Sequence, residues 1–579
     1  MKNHLLYIFK KKDMLLYVWI FLLITASFVR MVFGIELTDE AYYVSEVISV
    51  LKGNVLYAYS SSKPAGMTIL VLPLFALFRV FSQSYDGIIL FSRMTFICFQ
   101  LGILAIGFFL LRKEKNVKIL LLALSIMVPY WGERIPNFSY NTISLYLLFL
   151  TGILQFRALS FKPGTKRDIC VFFSGVLVAF AEFAHPGQII NTLWFGIVLL
   201  ILGKETKWRL LMFYLLGGLT ILISVLGTIL CLSGFEKLAD GIKAILTRYS
   251  SAQKPVGFFH NIFLYISTYR SSFFFYFLAC ITAGIYLFVK KRGKPIVSIL
   301  FIIDLSNACA LLISIVFILI RRSMADWMMC LGAALSICVF FCILTGLWDQ
   351  TRQKQDLLFL VFPFFMFVVN GFFTSTGVVS RAIYFTICGF GIATHFLEGP
   401  LKNYRIYKKL IIALLFLLTV FGIVADYGYL YREDSVVQLT EHVDTGIYQG
   451  LYTTPEKAEA VESLESYLQE NTAPDMPILF LDQAAFGYLM TDCFPCAPST
   501  WDQTHYHKGN NFPEPLLSYF IRKETTPEKI IYIDFGRDME LSIETEDYLF
   551  NDYVNRHYKY SDSNTIGNLF RVLIYTRKD

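Results

Sequence analysis

Apolar runs of about 20 residues recur along this chain from Met14 to Leu430, each the length needed to cross ~30 Å of hydrocarbon as a helix. In lipid a spanning segment must satisfy its own backbone hydrogen bonds, which leaves helices or closed barrels. Continuous apolar runs rather than alternating ones select helices. The charged fraction agrees: 16% of the 579 residues, against roughly 25% in an average soluble domain. The expected fold class is therefore an all-α polytopic membrane domain, followed by a more polar C-terminal region.

Basic loops set the orientation. The net charge of +7 comes from lysines and arginines clustered in short loops between spans, which is how membrane topology is encoded and not a nucleic-acid footprint. Lys10-Lys11-Lys12, Arg112-Lys113-Glu114-Lys115, residues 157–167, 204–209, Lys290-Lys291-Arg292, 352–354 and 402–409 can all be cytoplasmic if 64–81 lies on the outer surface rather than crossing. That segment contains Pro64, Pro73 and Arg79. The spans then read 14–34, 88–111, 117–131, 142–157, 169–184, 188–203, 209–232, 264–289, 296–320, 327–347, 357–372, 380–398 and 409–430, about 13 crossings of a multi-pass cell-membrane protein. The N-terminus is inside and the C-terminal domain outside. No small-residue cleavage site follows the first span, so it is expected to stay as an anchor.

This divides the chain into a transmembrane domain, 1–430, with outer loops at 35–87 and 233–261, and an extracytoplasmic domain, 431–579. In the latter, residues 455–470 read as a helix begun by Thr454, and 478–482, 529–535 and 569–575 read as short buried strands. A small α/β domain is the expectation. Of the 11 cysteines, all but Cys493 and Cys496 lie in or beside apolar spans. That Cys-Phe-Pro-Cys pair has redox spacing without a clear thioredoxin context, so a structural disulfide or two idle thiols is expected.

The chemistry gathers in the first outer loop. Thr38-Asp39-Glu40-Ala41-Tyr42-Tyr43 follows the first span directly, and Lys63-Pro64 comes after a polar Ser60-Ser61-Ser62 turn. Residues 41–51 have helical apolar spacing, which puts Asp39 near the N-cap of a surface helix. Capping alone accounts for an Asp there, and interfacial snorkelling alone for Lys63. Neither accounts for the acidic pair, the paired tyrosines and the lysine together.

Asp-Glu-x-Tyr-Tyr, a short helix, a polar turn, Lys-Pro and an amphipathic segment resemble the first extracytoplasmic loop of the GT-C glycosyltransferases, in particular the branch of protein O-mannosyltransferases and lipid A aminoarabinose transferases. Arg93, in Phe-Ser-Arg-Met at the start of the second crossing, extends the resemblance. It implies a membrane glycosyltransferase that moves a sugar from a polyprenyl phosphate to an extracytoplasmic acceptor, whether a cell-envelope glycan, a lipid or a protein. By that pattern Asp39 is the general base, Glu40 orients the site or shares a divalent cation (Mg or Mn) with Asp39, and Lys63 meets the donor phosphate. Tyr42 and Tyr43 would stack on the sugar or hydrogen-bond to it. Members of the branch often carry a second acid before the fourth crossing. Here that loop offers Glu133 with Asn137, Tyr140 and Asn141, so either Glu133 substitutes or amides bind the acceptor without a metal.

Other polar residues have two readings each. Glu182 and His185 share a helix side at i, i+3, as metal ligands or as a polar helix end. Arg270, Arg321, Arg322 and Arg381 sit on the outer side, where guanidinium forks suit phosphate or lipid headgroups equally. Asp304 with Asn307, deep in a span, suits an interhelical polar contact. Two rival functions stay open: a lipid-linked saccharide flippase, which would want related halves, and a non-catalytic membrane protein with an outer binding domain.

Overall fold

The computed structural model describes residues 11–60, 65–129, 135–252, 405–428, 430, 432–481, 483–501, 514–535 and 551–578. The expected crossings between 264 and 398 lie outside these residues, as do Lys63, Glu133, Arg270, Asp304, Asn307, Arg321, Arg322 and Arg381. The described part is mostly helical with a small sheet. Its helices are α1 (Lys11–Arg30), α2 (Asp39–Leu51), α3 (Ala65–Ser82), α4 (Ile88–Leu111), α5 (Val117–Ser125), α6 (Tyr140–Ser160), α7 (Thr165–Ala184), α8 (Ile189–Leu202), α9 (Lys207–Ser233), α10 (Phe235–Ala252) and α11 (Arg405–Gly428). The C-terminal region adds α12 (Pro455–Glu470), α13 (Gly487–Met490), α14 (Glu514–Lys523) and α15 (Asn551–His557).

Among the described residues, three helical stretches are long and apolar enough to cross a membrane: Ile88–Leu111, Tyr140–Ser160 and Lys204–Ser233. The expected span 117–131 is helical only over the nine residues of α5, which rise about 13 Å, short of the hydrocarbon thickness. The segment 64–81, expected on the outer surface, overlaps one helix, Ala65–Ser82, that contains Pro73. The second outer loop holds the helix α10. It crosses the first loop so closely that a Cβ on Gly241 would lie 1.8 Å from the Tyr57 carbonyl oxygen.

Helices α7 and α9 meet at glycines. A Cβ on Gly175 would lie 2.0 Å from the Tyr214 oxygen, and one on Gly217 would lie 2.0 Å from the Phe172 oxygen. Where burial of apolar surface gives no drive between helices, such close backbone approach supplies the attraction. Gly217→Ala should therefore push two backbones apart and cost roughly 1–3 kcal/mol. Gly227→Ala on the same helix, with nothing within 4 Å, should be neutral or slightly stabilising. Thermal melting of the purified variants checks this, and equal melting points would refute the crossing.

The two ends of the membrane region close on each other. Arg30 Nε donates to the Asp426 carbonyl at 2.6 Å, Tyr427 Oη donates to the Ala26 carbonyl at 2.8 Å, and Trp19 lies 4.3 Å from Phe416 between ring centroids. The C-terminal region then folds onto the outer loop.

Its sheet has five strands in the order β4-β3-β5-β7-β6: β3 (Pro477–Leu481), β4 (Phe494–Pro495), β5 (Lys529–Asp534), β6 (Tyr558–Ile566) and β7 (Phe570–Arg577). A two-residue ladder, β1 (Glu441–His442) with β2 (Tyr452–Thr453), precedes it. β3 pairs in parallel with β4 and β5, and β7 runs antiparallel to β5 and β6. Strands β3 and β5 are continuous apolar runs because parallel strands bury both faces. β6 is the exposed, polar edge, a composition that blunts pairing with another chain. Cys493 and Cys496 flank the extended pair Phe494-Pro495 and are free, fully buried thiols. Three residues of extended chain separate Cα atoms by about 10 Å, beyond disulfide reach. They pack into different hydrophobic clusters, so of the two sequence readings the idle thiols hold.

Candidate functional site

The chain leaves α1 through residues 31–38, a short connection braced on both sides. Tyr452 N–H donates to the Val32 carbonyl at 2.7 Å, and Gly34 N–H to the Tyr452 carbonyl at 2.8 Å. Glu433 accepts from Ile35 N–H and from Lys457, both at 2.8 Å, and Lys457 also reaches the Ile35 carbonyl. Helix α2 begins at once.

Glu36 does the capping expected of Asp39. Its carboxylate accepts from Thr38 N–H at 3.1 Å and Glu40 N–H at 2.8 Å, and it meets Arg432 at 3.4 Å. The free amides of a helix start favour a carboxylate there. Asp39 is the first helical residue and is partly exposed.

Glu40 is fully buried in a two-point ion pair: Arg93 Nε donates to Oε1 at 2.7 Å and an Arg93 terminal nitrogen to Oε2 at 2.6 Å. The same guanidinium donates to the carbonyls of Met31 (2.8 Å), Phe33 (3.1 Å) and Gly34 (2.8 Å). All five donors of Arg93 are thereby used. Burial works to raise the Glu40 carboxyl while the Arg93 fork works against it. Of the two expectations for Glu40, orienting the site or sharing a metal with Asp39, the geometry suits the first, since both its oxygens accept from Arg93. Among the described residues no three His, Cys, Asp or Glu side chains gather as a metal site.

The helix itself was expected on the surface. Instead Glu40 to Ser49 are all buried, because the C-terminal region packs over it. Val44, Val47 and Ile48 join Ile447, Leu451, Leu489 and Met490 in one hydrophobic cluster that runs on into the membrane helices.

A chain of aromatic rings extends from α2. Tyr42 and Tyr43 lie 5.4 Å apart between centroids, Tyr43 lies 6.0 Å from Tyr140, and Tyr140 lies 5.4 Å from His185. Trp501, from the C-terminal region, lies 4.8 Å from Tyr42. His185 Nδ1 accepts from Gly187 N–H at 3.1 Å, which leaves the proton of a neutral ring on Nε2. Asn137, 1% exposed, has neither amide atom hydrogen-bonded among the described residues, and Asn141 is buried at the start of α6. Tyr448 is also buried, its hydroxyl without a partner among the described residues, and burial beside Glu36 and Glu40 pushes the phenol well above its ordinary value.

The loop therefore brings together Asp39, Glu40, Tyr42, Tyr43 and, through Tyr140, His185. Sequence reasoning missed Glu36, Tyr448 and Trp501. Glu36 stands three residues before the acidic pair and has the spacing of a cap. Trp501 carries no local signal, because only the fold of the C-terminal region brings it to Tyr42.

A scan against family models and a search of curated proteins find no match. Among solved structures, the chain is similar to ArnT from Cupriavidus metallidurans in the apo state, at 11% identity over 96% of this chain and 98% of that chain, with a TM-score of 0.43. It is similar to the same protein bound to undecaprenyl phosphate, at 10% identity over 97% of both chains, with a TM-score of 0.40. It is also similar to the oligosaccharyltransferase AglB from Archaeoglobus fulgidus in complex with an inhibitory peptide and a dolichol-phosphate, at 11% identity over 97% of this chain and 74% of that one, with a TM-score of 0.43.

Proposed function

We propose that this chain is a multi-pass membrane glycosyltransferase that transfers a sugar from a polyprenyl-phosphate donor to an acceptor outside the cytoplasm. The carrying observation is the division of labour at the start of α2. Glu36 caps the helix and Glu40 with Arg93 builds the loop, so neither task requires Asp39, which stands partly exposed beside the aromatic row.

In this reading the Asp39 carboxylate takes the proton of the acceptor hydroxyl as its oxygen attacks the anomeric carbon. The bond from that carbon to the phosphate oxygen breaks, and the polyprenyl phosphate leaves with the electron pair. Lys63 pairs with that phosphate as its charge grows, aided by Arg270, Arg321 or Arg381, a charge-assisted contact that gains strength where water is scarce. Tyr42 and Tyr43 hold the sugar ring. Asn137, Asn141, His185 and Glu133 serve the acceptor, with Asn137 contributing an amide that has no hydrogen-bond partner among the described residues.

The test is a transfer assay with purified protein in lipid and labelled hexoses and pentoses on undecaprenyl and dolichol phosphate. Release of the polyprenyl phosphate with at least one donor is expected. A protein that releases none but moves a labelled lipid-linked saccharide between leaflets would be a flippase, and the proposal would fall.

A further inference from the structure

Glu46 is a buried carboxylate with no part in the chemistry above. It lies on α2 one turn after Tyr42, so the two side chains share a helix face. Across from it runs Ser499-Thr500-Trp501 of the outer domain. Ser499 Oγ donates to Glu46 Oε1 at 2.7 Å, Thr500 N–H at 2.6 Å and Thr500 Oγ1 at 3.2 Å. On the loop side, Ser60 Oγ reaches Oε2 at 3.4 Å. Ser45, beside Glu46, meets Thr500 Oγ1 at 2.6 Å, and Trp501 N–H donates back to Ser499 Oγ at 3.2 Å. Glu46 and Thr500 are separated by 454 residues, so this is a tertiary clamp and not a local turn. Hydrogen bonds to a charged acceptor are about twice as strong as neutral ones, and a buried carboxylate that loses its donors is costly.

The clamp fixes the residue that follows it. With Thr500 pinned to Glu46, Trp501 lands on Tyr42, which is one turn along α2 from Asp39. Trp501 is only partly buried and Tyr42 almost wholly so, which leaves the indole as the wet member of the pair. An apolar, partly exposed ring seated on a second ring, next to a carboxylate, suits the flat face of a sugar.

We infer that Glu46 is a positioning residue, through which the outer domain sets Trp501 against Tyr42 to form the stacking face for the donor's sugar ring. The sugar clause rests on the function proposed above; the clamp does not.

Two readouts test it on the full-length protein in lipid. Hydrogen exchange reads the clamp: Glu46→Ala should strip protection from residues 499–501, and Glu46→Gln, which keeps one acceptor, should retain part of it. Should Glu46→Ala not fold, Ser499→Ala with Thr500→Val removes the donors from the other side. Kinetics with an undecaprenyl-phosphate hexose read the sugar. Trp501→Ala and Glu46→Ala should each raise the donor KM by roughly 3–10-fold with little change in kcat, the worth of one aromatic stack. The double variant should be no worse than either single one, because Glu46 acts through Trp501. Unchanged protection at 499–501, or additive losses in the double variant, would overturn the positioning role. A wild-type protein that binds none of the donors strikes out the sugar clause with the function it rests on, while the exchange pattern still rules on the clamp.

Discussion

Asp39→Asn is expected to lower sugar transfer by ~10²–10⁴-fold, the usual worth of a positioned general base, with the protein intact. Asparagine keeps the size of the side chain and its favour for a helix start, and removes only the basic carboxylate. Glu36, Glu40, Arg93 and Glu433, with Tyr452 and Lys457, hold the loop through contacts that this substitution leaves in place. The loss should therefore appear in kcat, with donor affinity and melting temperature close to wild type. Turnover measured beside a melting curve decides it. An Asp39→Asn protein that transfers sugar at the wild-type rate would return Asp39 to a structural role.

The second large effect is on folding. Arg93→Ala leaves Glu40 buried without its counter-charge and strips donors from the carbonyls of Met31, Phe33 and Gly34. Breaking one side of a buried pair costs about 3–5 kcal/mol, because the remaining charge has neither water nor a partner. The expected result is a protein that fails to give a monodisperse peak in detergent. Arg93→Met with Glu40→Leu removes both charges and should recover part of the loss, the backbone carbonyls still lacking their donor. A single Arg93→Ala protein as stable as wild type would show that the pair does not hold the loop.

Several elements could be read in advance because each rests on a local rule. The apolar runs 88–111 and 209–232 stand within α4 and α9, and 455–470 is a helix. β3 and β5 follow from short runs that are apolar on both faces. What escaped reading is long-range. The run 117–131 has a helix's composition, yet α5 stops at Ser125 and two turn residues follow. β6 is as polar as a loop because it is an exposed edge, and only its pairing with β7 makes it a strand. The acidic pair of the first loop was legible as a pair, but its two members have unlike environments, and that difference is set by Arg93, 53 positions away from Glu40. Thr500 and Glu46 illustrate the same limit: no pattern within a window reports a contact made 454 residues apart.

The closure of α1 against α11 ties the chain's chemistry to its order of synthesis. A nascent polypeptide presents its first segments long before its last, and the loop with Asp39 is among the earliest to leave the ribosome. Yet the acceptor for Arg30 is Asp426, the braces of residues 32–36 are Arg432, Glu433, Tyr452 and Lys457, and the clamp on α2 is made by Ser499 and Thr500. Every one of these arrives at the end. A chain that ended at residue 430 would keep the Arg30–Asp426 closure and the Arg93–Glu40 pair, yet residues 32–36 and Glu46 would lack every partner that residues 432–500 supply.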